Sequence, residues 1–526
     1  MKTPAQKILL LITGAILFNI IFWQEKIAVN ALLFDAFILA SVFYLYPAAF
    51  TKPAMKWLLL AHVVTLVTLV IHNTVLSKLA FSATLLLVVV FTQFLHRSVW
   101  YAAASAVGNY LLFVFSFLED IRQIKKGEMR SLGIKKALRF LIIPLMIAGV
   151  FMLIYSFSNA VFQDVVNSMG IALQRFFSRF FDWFNWERFG FLMLGLFITG
   201  GLILKMNSNY FSEKEFVKHN DLYRTKHNLN RWKQTAMFDI LSLFMGRFAN
   251  GIMALRNENT VGIISLVMLN ALLLFINAID ITYVWFGFSY TANLNLTQYV
   301  HEGTGMLIFS IMLAMLVLLF FFRGNLNFYK KNKWLRYGAY GWILQNAVLV
   351  VSVLLRDYYY IVHMGLAYKR IGVLVFLLMV LMGLITVFIK IHQRKTAYYL
   401  WRVNGWFAVG LLVVASCVHW DETIASYNLA HKNTIPLDIK FLLSLSDKAL
   451  PVLEKNKDVL DEKNTVLYDL GDGISTTALT PRDIFDMRKK EFFEKQKMYS
   501  WLSWNATDAY VKRNLSNPAI TSSLNK

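Results

Sequence analysis

The sequence predicts an all-α membrane protein: a polytopic transmembrane helical bundle of 11–12 spans, followed by a small, mostly helical, extracytoplasmic C-terminal domain. Three observations predict it. Hydrophobic residues make up 57% of the 526, charged residues only 16%, and mean hydropathy is +0.51, whereas soluble domains average roughly 45–50% and about 25%. Apolar runs of spanning length recur through residues 1–420. The remaining stretch, 421–526, is of different composition, with 15 basic and 15 acidic residues.

A helix rises about 1.5 Å per residue, so about 17–25 mostly apolar residues cross a hydrocarbon core of about 30 Å. Twelve runs meet this description, near 8–23, 27–46, 57–72, 79–95, 99–117, 140–157, 189–206, 260–286, 306–322, 337–355, 371–391 and 398–419. Lipid offers no hydrogen bonds, so the backbone must pair internally and these runs are expected to be helices. The alternation of a β-barrel is absent. The first and third runs are short, which leaves a tilted or re-entrant segment open at either. Residues 1–23 begin like a signal peptide, with Lys2 and Lys7 before an apolar stretch. Residues 19–25 offer no small-residue cleavage site, so they read as an uncleaved first helix.

The net charge of +22 belongs entirely to residues 1–420, which hold 38 basic and 16 acidic residues. Its distribution predicts orientation, because basic loops stay in the cytoplasm, drawn to anionic lipid. Loops 118–139, 205–256, 323–336 and 390–402 carry 25 basic residues, against 6 in 158–188, 287–305 and 356–370. The first set is therefore expected in the cytoplasm and residues 420–526 outside it. If all five early runs cross, Lys2, Lys7, Lys52, Lys56 and Arg97 lie outside, which the rule disfavours. The N-terminal side and the choice between 11 and 12 spans stay open. The basic residues come in short clusters between apolar runs, not in a stripe, so no nucleic-acid partner is expected. The expected partners are the phospholipid bilayer, with anionic lipid at the cytoplasmic face, and membrane or periplasmic proteins.

Two segments read as peripheral. In 160–186, Phe162, Val165, Val166, Met169, Leu173, Phe176, Phe177, Phe180, Phe181 and Phe184 recur at helical spacing opposite polar residues, as in an interfacial amphipathic helix. The polar insert 205–256 contains Ser212-Glu213-Lys214-Glu215, a capping-box pattern. In the C-terminal stretch, Asp438 and Ser446 read as N-caps of short helices over 439–445 and 447–455. Residues 468–473 read as a turn, and 481–513 as a long helix.

No signature of an ATP or zinc enzyme is present. His301-Glu302-Gly303 starts like H-E-x-x-H, but position 305 is Gly and the second ligand is missing. The only cysteine, Cys417, lies in an apolar run and reads as a small buried hydrophobe; no disulfide, metal or cofactor is expected. What remains is polarity within the spans, which is costly and marks candidate sites. Asp35 lies in the second run. Asn270, Asn277 and Asp280 share one face of the eighth. His301 and Glu302, Arg356 and Asp357, and Lys369 and Arg370 flank the outer ends of later runs. Together they define a candidate outward-facing ligand site; the competing reading is interhelical hydrogen bonding, with Asp280 paired to Arg356 or Arg370.

Four stretches carry a family resemblance: 269–281, 299–303, Ser426-Tyr427-Asn428 followed by 436–453, and Trp501-Leu-Ser-Trp504-Asn505. Together they resemble bacterial polytopic membrane proteins of domain of unknown function 4173, or its relative 4153. The resemblance implies a bacterial inner-membrane location and carries over no activity and no catalytic residue. The leading functional expectation is non-enzymatic binding or transport of a small or lipid-like ligand. A scaffold or sensor subunit of a membrane complex is the alternative, and a membrane-embedded transferase acting on lipid-linked substrates is the second.

Overall fold

The computed structural model describes residues 3–47, 53–94, 96–124, 160–178, 185–223, 254–286, 296–322, 325–461, 466–469 and 476–516, with isolated positions between 144 and 156. Thirteen helices come first: α1 (Pro4–Phe22), α2 (Val29–Leu45), α3 (Pro53–His72), α4 (Val75–Gln93), α5 (Val99–Ile124), α6 (Ala160–Ser178), α7 (Trp186–Ile203), α8 (Tyr210–Phe216), α9 (Ala254–Asp280), α10 (Leu296–Phe321), α11 (Lys333–Met364), α12 (Tyr368–Gln393) and α13 (Ala397–Ser416). Five follow: α14 (Trp420–Ala430), α15 (Ile439–Ser444), α16 (Leu450–Lys455), α17 (Pro481–Met498) and α18 (Ala506–Ser516). Among the described residues nine helices are long and apolar enough to cross a membrane, and α2 and the apolar part of α10 are shorter. Leu272, Leu274 and Phe275 on α9, with Met306, Phe309 and Leu316 on α10, are exposed. Apolar surface on that scale belongs in hydrocarbon. The expected polytopic helical bundle is therefore the architecture observed. The sixth apolar run, 140–157, lies outside the described residues apart from isolated positions.

One compact unit comprises residues 1–24, 33–47 and 107–207. Small residues let α1 and α7 approach closely, the usual device of membrane helices: a Cβ on Gly195 would stand 3.1 Å from the Ala15 carbonyl oxygen. Asn19 and Arg188 exchange two hydrogen bonds of 3.3 Å beside this contact. The second half of α5 is placed differently. Asn109 Oδ1 accepts from the Met206 amide at 3.0 Å, Tyr110 and Phe113 pack on Phe197, and Glu119 accepts from Asn207 at 2.5 Å. These residues span about 15 Å of helix, yet every one of these partners lies between residues 197 and 207. Asn109 and Glu119, about three turns apart on this half of α5, thus meet the adjacent residues Met206 and Asn207 just past the end of α7.

The other unit comprises 25–32, 48–106 and 208–526. Its larger core joins α9 to α12 through Leu266, Ile311, Leu318, Leu335, Val353 and Leu384. A second core gathers Ile424, Leu442, Leu450, Phe485, Phe492 and Val511 of the C-terminal helices around Ile371 of α12. Each such side chain fully withdrawn from water stabilises by about 1.5–3 kcal/mol. Thr480 and Asp483 form a reciprocal capping box that starts α17, with Pro481 at its first position. A two-stranded hairpin, β1 (Val466–Asp469) and β2 (Thr476–Leu479), pairs Val466 opposite Leu479.

Polar contacts gather at the two ends of this unit. At one end Lys395 meets Asp221 at 2.6 Å, Arg97 donates to the Glu215 and Lys218 carbonyls, and Arg336 donates to the Ile391 and His392 carbonyls. At the other, Asn73 donates to Ile27, Thr507 to the Ile71 carbonyl, and Lys448 to the His72 carbonyl. Residues 97, 215–221 and 395–398 thus lie together, and Leu366 lies with Asn428 of the C-terminal stretch.

Several local expectations are corrected. Ser212 caps nothing: α8 begins one turn earlier at Asn209, and Glu215 is drawn inward by long-range partners instead. Ser446 makes no cap hydrogen bond and donates to Asp421 at 2.6 Å. The long helix over 481–513 breaks at residues 499–505, where Ser500 caps a short turn. Cys417 is exposed, because it stands at the C-cap where α13 leaves the packed bundle. Asp438 caps α15 as expected, accepting from the Phe441 amide at 2.9 Å. Of the expected turn at 468–473, residues 470–473 lie outside the described residues, as does most of the insert beyond 223.

Candidate functional site

The polar stripe of α9 is answered along its length by α11. Asn270 Nδ2 donates to the Gly338 carbonyl at 3.0 Å, and its Oδ1 accepts from Gln345 at 2.9 Å. One turn and more further on, Asn277 Nδ2 donates to the Gln345 carbonyl at 3.0 Å. Asp280 ends the stripe in a 2.6 Å ion pair with Arg356. Only 4% of Asp280 is exposed, so the charge faces the bundle interior. Arg356 is the partner, not Arg370.

The neighbouring ionisable residues form the second part of the site. Asp357 is buried at 1% exposure, its Oδ2 has no hydrogen-bond partner, and Arg370 is the opposite charge acting on it. Arg370 turns back to donate to the Met364 and Gly365 carbonyls and lies 4.0 Å over the Tyr360 ring. Gly365 permits this reversal at φ 83°, where a Cβ would strike Asn428 Oδ1 at 2.6 Å. Asn428 in turn clamps Leu366 at both backbone groups, 2.6 Å from its amide and 2.9 Å from its carbonyl. Between this hairpin and residues 435–441 opens a cavity of about 350 Å³, with Lys369 and Arg370 in its wall. Lys369 has no ion-pair partner among the described residues.

The structure thus brings Asp280 and Arg356 together, and groups Asp357, Lys369 and Arg370 around the hairpin after α11. Asp35 is buried on α2 in the first unit. His301 and Glu302 belong to α10, but their side chains lie outside the described residues.

Two polar clusters escaped the sequence reading. In the first, Glu215, 1% exposed, accepts from His96 Nδ1 at 2.7 Å, Tyr398 at 2.6 Å and the Arg97 amide at 3.2 Å. His96 Nε2 meets Ser105 at 2.8 Å. The order Ser–His–Glu resembles a nucleophile with its base, but all three are buried and the carboxylate is shared with Tyr398, so the cluster acts as a tie between loops. Burial alone would push the Glu215 carboxyl upward; the bonds from His96, Tyr398 and Arg97 hold it below its ordinary value. Nothing local signals it, since the partners are more than a hundred residues apart.

The second cluster surrounds His419. Neither ring nitrogen has a hydrogen-bond partner; Glu422 Oε2 stands 3.4 Å from Nδ1, and the His72 ring is 5.5 Å away. Beside it, Asp421 accepts from Tyr368 and Ser446, both at 2.6 Å, and buried Lys448 caps the His72 carbonyl. Burial, reinforced by Lys448 and His72, pushes the His419 imidazole down to about 4, and burial pushes Lys448 down to about 8.

This geometry, with nine helices among the described residues long and apolar enough to cross a membrane, is that of a multi-pass membrane protein. It belongs to the family described as domain of unknown function DUF4153, whose model matches residues 14–456. Of the two related families that the sequence resembles, this is the one that matches. No curated protein and no solved structure gives a significant match.

Breaking a buried ion pair strands its partner, at a cost of about 3–5 kcal/mol. Asp280→Asn and Arg356→Gln are therefore each expected to lower thermal stability in detergent by that order. The double variant should lose less than the two losses combined, which a double-mutant cycle of melting curves reads directly.

His419 binds a proton in the unfolded chain below about 6.5, but in the folded chain only below about 4. Stability is therefore complete above the unfolded value and declines as pH falls from about 6.5 to about 4, by on the order of 3 kcal/mol. Melting temperatures across that window should drop in the parent protein. In His419→Phe, which cannot take the proton, the slope should flatten.

Proposed function

We propose that this protein binds an anionic small or lipid-like ligand at the outer end of its bundle, without chemistry of its own. The cavity of about 350 Å³ beside Lys369 carries the reading. It is a concave site walled by a cation that lacks an ion-pair partner among the described residues, with apolar Phe441 and Ile435 also in the lining and with Asp438 there engaged in capping the Phe441 amide. Arg370 is committed to backbone carbonyls, so Lys369 is the residue that meets the ligand's negative charge. Asp280, Arg356, Asn270 and Asn277 hold α9 to α11 and position the hairpin; they do not touch the ligand.

The topology belongs to the same proposal. The family resemblance supports a bacterial inner membrane, and the 25-to-6 excess of basic residues supports a cytoplasmic end containing 205–256 and 390–402, with 421–526 as an extracytoplasmic domain. The pairing of Asn109, Glu119 and Asp120 with Met206, Asn207 and Lys7 supports a surface-lying α5 that does not span. Arg97 and the basic loop 118–139 then share one side, and the N-terminus, with Lys2, Lys7, Lys52 and Lys56, joins them in the cytoplasm. That removes the conflict that five early crossings create.

A soluble anionic amphiphile, dihexanoyl phosphatidic acid, is expected to bind the purified protein more tightly than dihexanoyl phosphatidylcholine. Lys369→Glu should weaken the first by about tenfold or more, equivalent to about 1.4 kcal/mol, and leave the second unchanged. Equal affinity for the two amphiphiles, or an unaltered titration in the variant, sinks the proposal.

A further inference from the structure

The elbow between α17 and α18 exposes apolar side chains that a buried domain would hide: Met498 at 81%, Trp501 at 68% and Trp504 at 52%, with Tyr510 nearby. It hangs from the ends of spanning helices. Thr507 Oγ1 donates to the Ile71 carbonyl at 2.6 Å, and Ser503 Oγ accepts from the Lys26 amide at 2.8 Å. Ile71 is the penultimate residue of α3, and Lys26 lies in the turn between α1 and α2. The elbow therefore stands at the boundary of the hydrocarbon, the level at which Trp and Tyr concentrate.

Beside the aromatics opens a cavity of about 500 Å³ lined by Gln496, Asn505, Asp508, Lys512 and Arg513. The Asp508 carboxylate is already engaged, 3.0 Å from Gln496 and 3.4 Å from Lys26. Lys512 and Arg513 have no carboxylate partner among the described residues, so the mouth of the cavity is cationic. Free cations beside exposed indoles suit a molecule with an anionic head and an apolar body.

We propose that this elbow is a membrane-docking surface: Lys512 and Arg513 take the phosphate of an anionic phospholipid of the surrounding bilayer, while Met498, Trp501 and Trp504 enter the boundary between headgroups and acyl chains. The site is separate from the Lys369 cavity and does not rest on it.

The test uses the full chain with Cys417→Ala and Met498→Cys, the new thiol carrying a polarity-sensitive fluorophore, in nanodiscs of phosphatidylcholine with or without phosphatidylglycerol. The expected result is a blue-shifted emission quenched by lipid bearing a nitroxide near the headgroup end of its acyl chain. Native mass spectrometry should find phosphatidylglycerol retained, and Lys512→Glu with Arg513→Glu should reduce that retention by about tenfold, since each basic residue near a lipid surface contributes about 1 kcal/mol. Lys369→Glu should leave it unchanged. Emission that stays water-like, or responds only to added protein or a second copy of the chain, overturns the proposal. So does retention that survives both charge reversals.

Discussion

The carbonyl groups at the C-terminal ends of the spanning helices set the terms for the rest of the structure. The last four have no partner within their own helix, and at a membrane boundary water is not dependably available to them. Here carbonyls at or just past these ends are met by side chains, most of them from distant parts of the chain: Ile71 by Thr507, His72 by Lys448, Leu366 by Asn428, Phe322 by Lys390, Ile391 and His392 by Arg336, and, locally, Ala415 by Trp420. Several donors are cationic, which also suits the negative end of the helix dipole. Part of the +22 charge therefore serves the architecture, since Lys390, Arg336 and Arg370 are spent on backbone oxygens, as is Lys448 of the neutral C-terminal stretch. Lys369, Lys512 and Arg513 are not spent in this way, and the two proposed sites lie at those residues.

The same constraint separates what the sequence discloses from what it hides. Spans are legible because membrane thickness converts directly into run length, and the Asn270–Asn277–Asp280 stripe because it lies on one helix face. Its partner Arg356 was among the candidates because both charges fall near the same end. Glu215 was misread as the far member of a capping box: local spacing allowed that role, but three donors from 96, 97 and 398 outbid it. The elbow after α17 was hidden for the opposite reason. Helical periodicity continues through Tyr499 and Trp504, and only the anchoring of Ser500 and Ser503 on Glu25 and Lys26 breaks it. His419 gave no periodic signal, because its burial comes from residues 72 and 448, which no window of sequence contains.

Within the first unit, the polar contacts of α5 stand beside its hydropathy as separate information on its placement. Its hydropathy is adequate, but Asn109, Glu119 and Asp120 all need partners at one end of α1 and α7, namely Met206, Asn207 and Lys7. The surface-lying α5 proposed above satisfies all three. Hydropathy reports what a helix tolerates, whereas the polar partners report where it is held.

The reach of the C-terminal helices has a consequence for biogenesis. Residues 420–516 close the exposed carbonyls of α3, α11 and α13 and tie the turn after α1, yet they leave the ribosome after every one of those helices has been inserted. Until then the helix ends that they cover are open, and the early bundle is held chiefly by apolar packing. Assembly of these contacts thus runs backwards along the chain, and a chain interrupted before residue 420 would keep its preceding helices but lack these latches. Such a chain would offer quality-control proteases a set of uncapped helix ends.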